Sequence, residues 1–343
     1  MTSYLPMLER SRIRISQGVQ PLAQTLAQSV SRGVKWVQSL VSNLVSKPFL
    51  TVQNTNSSMS GARVESDVER SSRPQPTPAQ DRWRQSLTLL FAITQVAASA
   101  LSVVSGIGTP VGDISDKYFT SVTAAGYAFA IWGLIYSACL AYGVYQALPA
   151  QRNNELLRRV GWWAISAFIG NSVWIPAFQL EQFWLSVLII GWIMVSLAGV
   201  LREFIRYGRE LPKAQTWLTV VPLSIFAGWI TAATVLNVSV ALKADGLGAN
   251  LLSASSWGTL MTLVVGVLGS YVTFKSRGNW GYGLTLVWAL VAIIVAQAPS
   301  SISIAISSSV SIVAILVSLG GARAVRAPLA PLRTTAAPEV APA

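Results

Sequence analysis

Histidine is absent from this chain, and cysteine occurs once in its 343 residues. Without histidine, His-ligated metal sites, a Ser-His-Asp triad and imidazole acid–base catalysis are excluded. Cys139 has no second cysteine with which to form a disulfide, and its position within an apolar stretch favours a packing role. We therefore expect no catalytic site, no metal site and no cofactor, and we do not expect an enzyme.

Charged side chains are also scarce, at 11% of the residues. The carboxylates of the apolar region all fall in polar loops or at the ends of apolar stretches: Asp113, Asp116, Glu155, Glu181, Glu203, Glu210 and Asp245. Pumps and proton-coupled carriers usually bury ionisable groups at the middle of the membrane. Ion-coupled transport is therefore disfavoured.

Long apolar runs are plentiful. Eight of them lie at 86–105, 125–147, 160–178, 183–201, 217–242, 257–274, 280–297 and 301–322. A helix needs about 20 apolar residues to cross roughly 30 Å of hydrocarbon while satisfying its own backbone hydrogen bonds. The sequence thus predicts an all-α fold, a polytopic membrane helix bundle with about eight spans.

The basic residues predict its orientation. Of 25 lysines and arginines, only Lys117 and Lys243 fall in the loops that would face outward if the first span enters from inside. Basic residues accumulate on the side that is not translocated, so we expect both termini inside. The net charge of +12 is spread over loop ends without a basic groove or stacking platform, which argues against nucleic acid as a partner.

The regions outside the spans differ in character. Residues 1–48 contain apolar residues every three to four positions, which predicts an amphipathic, basic helix. This helix could serve as a membrane-surface anchor, as a helix packed on a partner, or as a targeting segment. Residues 49–82 have the composition of a polar flexible linker, 83–325 form the predicted membrane domain, and 326–343 form a tail predicted to be disordered.

Tryptophan is unusually frequent, with 13 residues. Most lie at span ends, where an indole can keep its N–H in water and its ring in lipid. Five lie deeper, where the N–H needs a partner and the ring can line a pocket: Trp132, Trp174, Trp192, Trp229 and Trp288. This deeper group is the better place to look for a ligand.

Three spacings within the predicted helices carry a family resemblance. The second span contains Trp132 and Tyr136, the third Asn171 and Trp174, and the fifth the series Trp229, Ala233, Thr234 and Asn237. The patterns Trp-x-x-x-Tyr, Asn-x-x-Trp and Trp-x-x-x-Ala-Thr-x-x-Asn, in this order, resemble the tryptophan-rich sensory protein family (TspO/MBR), which includes the translocator protein. The resemblance covers residues 86–242 as a five-helix unit. The spans within 257–322 would be additional, as in a longer branch of the family.

The resemblance implies a pocket for porphyrins, sterols and similar flat apolar molecules. It places these residues in or beside the pocket: Phe129, Trp132, Tyr136, Asn171, Trp174, Trp229, Ala233 and Asn237. Alternatively, the two asparagines could simply bridge helices, since such hydrogen bonds contribute about 0.6–2 kcal/mol in membranes.

The chain also departs from the family pattern. Thr123, Ala124 and Ala125 replace the usual Pro-Pro pair before the second helix. The first loop also lacks tryptophan, so we do not expect the porphyrin-degrading chemistry attributed to loop tryptophans in the family. Iron-ligated haem is not expected either, because no axial ligand stands out.

Three functional hypotheses follow. The chain could bind, sense or translocate hydrophobic, tetrapyrrole- or sterol-like ligands, which we favour. It could instead be a facilitative transporter of small solutes, or a scaffold acting through its N-terminal helix. The expected partners are a hydrophobic small molecule and the lipid bilayer; small residues such as Ser137 and Ala141 also permit a homodimer. We expect a bacterial inner membrane, or an organellar membrane if the N-terminus is a transit peptide.

Overall fold

The computed structural model describes residues 77–106, 108–207, 211–246 and 253–324. The predicted N-terminal helix (1–48), the tail (326–343) and most of the predicted linker (49–82) lie outside these ranges. Within them, every long element is a helix, as the sequence predicts.

The long helices follow one another through short connections. Their bounds are α1 (Pro78–Ser105), the short α2 (Val111–Lys117), α3 (Ile131–Ala147), α4 (Glu155–Gln179), α5 (Phe183–Tyr207), α6 (Val221–Ala244), α7 (Ala254–Lys275), α8 (Trp280–Gln297) and α9 (Ile302–Ala324). A 3₁₀ turn, Gly126–Ala130, precedes α3, and α6 continues from a helical turn at Lys213–Gln215 through the π-helical turn Thr216–Val220.

Helix α1 begins earlier than predicted. Thr77 caps it: its hydroxyl accepts from the Gln80 backbone N–H at 3.3 Å, and the Gln80 side chain accepts from the Thr77 N–H at 2.9 Å. Pro78 occupies the first turn, where its missing N–H costs nothing. The predicted linker 49–82 is therefore too long, because residues 78–82 are helical. The capping box lies within a polar, proline-containing stretch whose composition is typical of a linker.

All eight predicted spans coincide with helices. Within the part of the chain that the structure describes, six helices are long and apolar enough to cross a membrane by length and composition: Gly126–Ala147, Phe183–Tyr207, Lys213–Ala244, Ala254–Lys275, Trp280–Gln297 and Ile302–Ala322. The other two predicted spans lie in α1 and α4, whose apolar sequence is interrupted by the buried amides of Gln95 and Asn171. Asn171 Nδ2 donates to Gln95 Oε1, which pairs one polar atom of each amide, while Gln95 Nε2 and Asn171 Oδ1 have no hydrogen-bond partner among the described residues.

The helices pack in a consistent order. Helix α4 lies between α1 and α5, α6 packs on α5 and α8, and α7 pairs closely with α9, which also contacts α8. The packing of α6 on α8 thus joins the predicted five-helix unit to the three additional helices. At that contact, the Gly228 position faces the Tyr282 backbone and Thr285.

Candidate functional site

The entrance of the chain into α3 positions the first aromatic residues of the site. The Ala125 N–H donates to the Ala292 carbonyl at 3.0 Å, and Trp288 Nε1 donates to the Ala128 carbonyl at 3.2 Å. These bonds hold the 3₁₀ turn against α8. Phe129 therefore faces Trp229 across the bundle, with ring centroids 6.1 Å apart.

Trp132 is the centre of an aromatic cluster. Its ring stacks on Tyr136 at a centroid distance of 5.3 Å and on Trp174 at 5.8 Å, with interplanar angles of 25° and 27°. Trp229 and Phe226 meet it closer to edge-on, at 6.2 and 6.5 Å. Aromatic pairs at such separations contribute about 0.5–1.5 kcal/mol each beyond burial. One indole thereby connects α3, α4 and α6.

A cavity of about 30 Å³ lies beside this cluster. Six of the eight residues predicted to bind ligand border it: Phe129, Trp132, Trp174, Trp229, Ala233 and Asn237. The space admits one or two water molecules, whereas pockets for larger ligands measure roughly 300–1,000 Å³. The aromatic rings therefore occupy most of the space that a flat ligand would need.

Asn237 makes two interhelical hydrogen bonds within the bundle. Its Oδ1 accepts from Trp174 Nε1 and its Nδ2 donates to Ser186 Oγ, both at 2.8 Å. The amide joins α6 to α4 and α5. Its geometry is that of the helix bridge considered as the alternative to a ligand contact, although its side chain also borders the cavity.

Asn171 and Tyr136 lie outside the cavity lining. Asn171 Nδ2 donates to Gln95 Oε1 at 3.0 Å, which ties α4 to α1. The Tyr136 hydroxyl lies close to Asn171 and Ser99, but no hydrogen bond of good geometry reaches Asn171 Oδ1. Tyr136 thus contacts the aromatic cluster and Asn171 contacts α1, and neither residue borders the cavity.

Trp229 carries the unused polar group of the site. Its side chain is 4% exposed, and its Nε1 has no hydrogen-bond partner among the described residues. A buried N–H without a partner costs about 1–3 kcal/mol. An acceptor atom of a bound molecule could recover that cost.

Comparison with protein families gives a match to TSPO-like protein over residues 85–320. The chain belongs to this TSPO-like family. The match extends beyond the motifs in 86–242 and includes the last three helices. Comparison with curated proteins and with solved structures gives no match.

Several residues around the cavity of this TSPO-like protein carry no sequence signal of their own. They are Val111, Val122, Ala124, Phe178, Ala232, Leu236, Ala289 and Ile293. Phe178 and Leu236 stand about one turn from the motif residues Trp174 and Ala233, so helical periodicity could have found them. Ala289 and Ile293 lie on α8, outside the five-helix unit, and only the tertiary packing reveals their place.

The segment before α3 covers one end of the cavity and is fixed to the α4–α5 turn. Lys117 Nζ and the Tyr118 hydroxyl both donate to the Glu181 carboxylate, at 2.6 and 2.7 Å. Hydrogen bonds from these two groups lower the pKa of Glu181, and the bond to Glu181 raises the pKa of Lys117. The Thr109 N–H adds a backbone bond to the Gln179 carbonyl. These polar contacts thus attach the segment before α3 to the α4–α5 turn.

Proposed function

We propose that this TSPO-like membrane protein binds flat, hydrophobic molecules of the tetrapyrrole or sterol class at the Trp132 cluster, and senses them or moves them within the membrane. The proposal involves no chemical step. The observation that carries it is the set of aromatic rings from three helices around one cavity, with the unpartnered Trp229 N–H beside it.

Ligand binding at this site requires the rings to move. Trp132 and Tyr136 lie on the same face of α3, and Trp174 lies opposite on α4, so rotation of the Trp132 ring would separate two stacked pairs. A flat ligand inserted there would restore the lost ring contacts on both of its faces. Binding of a large flat ligand at the proposed site therefore requires the Trp132 ring to separate from Tyr136 or Trp174.

Titration of the purified protein with protoporphyrin IX, followed through the fluorescence of the porphyrin, tests this proposal. We expect saturable binding that weakens about tenfold or more in Trp132→Phe and Trp229→Phe, since each change removes indole ring area at the cavity and Trp229→Phe also removes the unpartnered N–H. Trp162→Phe is the matched control, because that tryptophan is 53% exposed on α4 and does not border the cavity. Equal binding by all variants would contradict the proposal.

A sterol titration in the same preparation separates the two ligand classes. Competition between cholesterol and protoporphyrin IX would indicate one shared site, as expected for an apolar cavity with few polar groups. Failure of both to bind would direct attention to solute flux in liposomes, the property of the transporter alternative. The membrane in which the protein resides, which we propose to be a bacterial inner membrane, would be identified by fractionation.

A further inference from the structure

A second, larger cavity lies at the end of the bundle that the charge pattern predicts to face outward. It measures about 710 Å³ and lies between the ends of α6 and α7, the α8–α9 turn and the segment that follows α2. We name it the vestibule; its lining includes Thr120, Ser239, Lys243, Trp257, Gln297 and Ser301. The family motifs in the sequence include none of these residues.

The vestibule continues the axis of the aromatic cavity. On α6, Leu236 borders the aromatic cavity while Ser239, about one turn later, borders the vestibule. On α8, Ile293 and Gln297 show the same one-turn relation. The two cavities are therefore stacked along the same helices, with the vestibule nearer the outer end.

Gln297 fixes the partition between the two cavities. Its Nε2 donates to the Thr120 carbonyl at 3.0 Å and to the Thr123 carbonyl at 2.9 Å. The Thr120 N–H in turn donates to Thr123 Oγ1 at 2.8 Å. The side chain of Gln297 is buried, so these bonds are shielded from water. The vestibule is consequently a separate space with its own chemistry.

That chemistry combines one cation with hydroxyl groups and apolar walls. None of the ion pairs among the described residues includes Lys243. The neighbouring Asp245 accepts a hydrogen bond from Trp184 Nε1 on α5, and the sequence at 247–252 contains no acidic residue. Trp257 lines the vestibule, and its Nε1 donates to Ser239 Oγ at 2.9 Å.

We propose that the vestibule is a second ligand site, which binds the carboxylate of an amphipathic molecule on Lys243 and its apolar part against Trp257. A carboxylate that accepts from the lysine ammonium forms a charge-assisted hydrogen bond, roughly twice as strong as a neutral one. Among the lining hydroxyls, Ser239 and Ser300 already donate to backbone carbonyls, so hydrogen bonds to the remaining lone pairs of the carboxylate come from other hydroxyls such as Ser255. This site does not depend on ligand binding at the aromatic cluster.

Binding of 11-(dansylamino)undecanoic acid to the full chain in nanodiscs of zwitterionic lipid tests the proposal, with the methyl ester of the same probe for comparison. We expect saturable binding of the acid that weakens at least about tenfold in Lys243→Gln, the loss of one hydrogen bond to a charged group, and that is retained in Lys243→Arg. The ester should bind wild type and Lys243→Gln equally weakly. Lys117→Gln is the control, because this other outer lysine is paired with Glu181 and lies outside the vestibule.

Three results would overturn the proposal: no saturable binding of the acid, equal binding of acid and ester, or equal binding of the acid by wild type and Lys243→Gln. The porphyrin titration of Trp132→Phe reports on the aromatic cluster alone. Failure of the vestibule proposal and failure of the proposed function are therefore distinguishable.

Discussion

At the scale of single residues, Asn237 has the clearest double role. It borders the aromatic cavity and also bridges three helices through Trp174 and Ser186. The sequence motif identifies the position but does not tell which helices the amide joins, because both partners are more than 50 residues away along the chain.

Removal of this amide should destabilise the bundle. We expect Asn237→Ala to lower the free energy of unfolding by about 1–2 kcal/mol, because Trp174 Nε1 and Ser186 Oγ lose their interhelical partner in an apolar interior. Thermal denaturation in detergent measures the change. Ser309→Ala is the control, since its exposed hydroxyl bonds only to the Ala305 carbonyl of its own helix. A loss no larger than in the control would show that the bridge contributes little.

The contact at Glu181 predicts a pH dependence. Its folded-state pKa is lowered by the hydrogen bonds from Lys117 and Tyr118. The contact therefore contributes stability above the unfolded pKa, about 4.3 for glutamate, and loses it as the pH falls through the lower folded value. We expect a small stability difference between wild type and Glu181→Gln at pH 7 that declines as the pH falls below about 4.3 and vanishes below the lowered folded-state pKa of Glu181. A difference that persists at low pH would exclude the carboxylate as its source.

At the scale of elements, the pairing of α7 with α9 depends on small residues and hydroxyls. Gly258 and Gly266 on α7 let α9 approach closely. The hydroxyls of Thr262 and Ser307 form a hydrogen bond of 2.7 Å between the two helices. Ser311 Oγ donates to the Thr262 carbonyl at 2.9 Å. The serines that make the last predicted span less apolar are thus the residues that pack it against protein, as expected for a serine-rich membrane helix.

Gly266→Ala tests this packing. A Cβ at this position would lie 2.3 Å from Ser311 Oγ and 3.0 Å from its Cα, so the backbone of α9 has to move. We expect a loss of about 1–3 kcal/mol, seen as a lower midpoint of thermal denaturation. Gly191→Ala on α5 meets nothing within 4 Å and should be neutral or slightly stabilising. Equal midpoints for both variants would mean that the helices are less closely packed.

Sequence periodicity predicts the helices well and their neighbours poorly. The span predicted at 280–297 coincides with α8, whereas α1 starts earlier because a capping box lies in a polar, proline-containing stretch. Hydropathy cannot reveal that Ala289 and Ile293 face the aromatic cavity, since alanine and isoleucine are equally suited to lipid. The predicted pocket therefore lacked its α8 wall, which is a property of tertiary packing alone.

At the scale of the whole molecule, the end of the bundle predicted to face inward is held by a buried charge cluster. Asp81 pairs with Arg158 and Arg84, and Arg84 also donates to Gln146 Oε1 and to the Leu157 carbonyl. Arg84 and Asp81 are at most 2% exposed. The cluster ties α1, α3 and α4 together on the side opposite to the aromatic cavity, so it belongs to the stability of the bundle and not to the proposed site.

Neutralising Asp81 should lower the stability of the protein. We expect Asp81→Asn to lower stability by about 3–5 kcal/mol, because two arginines lose their buried counter-charge. Glu155→Gln is the comparison, since its pair with Arg159 is partly exposed and should contribute under about 1 kcal/mol. Chemical denaturation of both variants measures the two losses. Similar values would show that water reaches the Asp81 cluster.

The most direct measurement of the central claim is porphyrin affinity after the aromatic cavity has been filled. Ala233 borders the cavity on α6, whereas Ala314 is exposed on α9. We predict that Ala233→Leu lowers protoporphyrin IX affinity at least about tenfold while the protein still unfolds cooperatively, and that Ala314→Leu leaves the affinity unchanged. Wild-type affinity in folded Ala233→Leu would contradict the assignment of the ligand site to the Trp132 cluster.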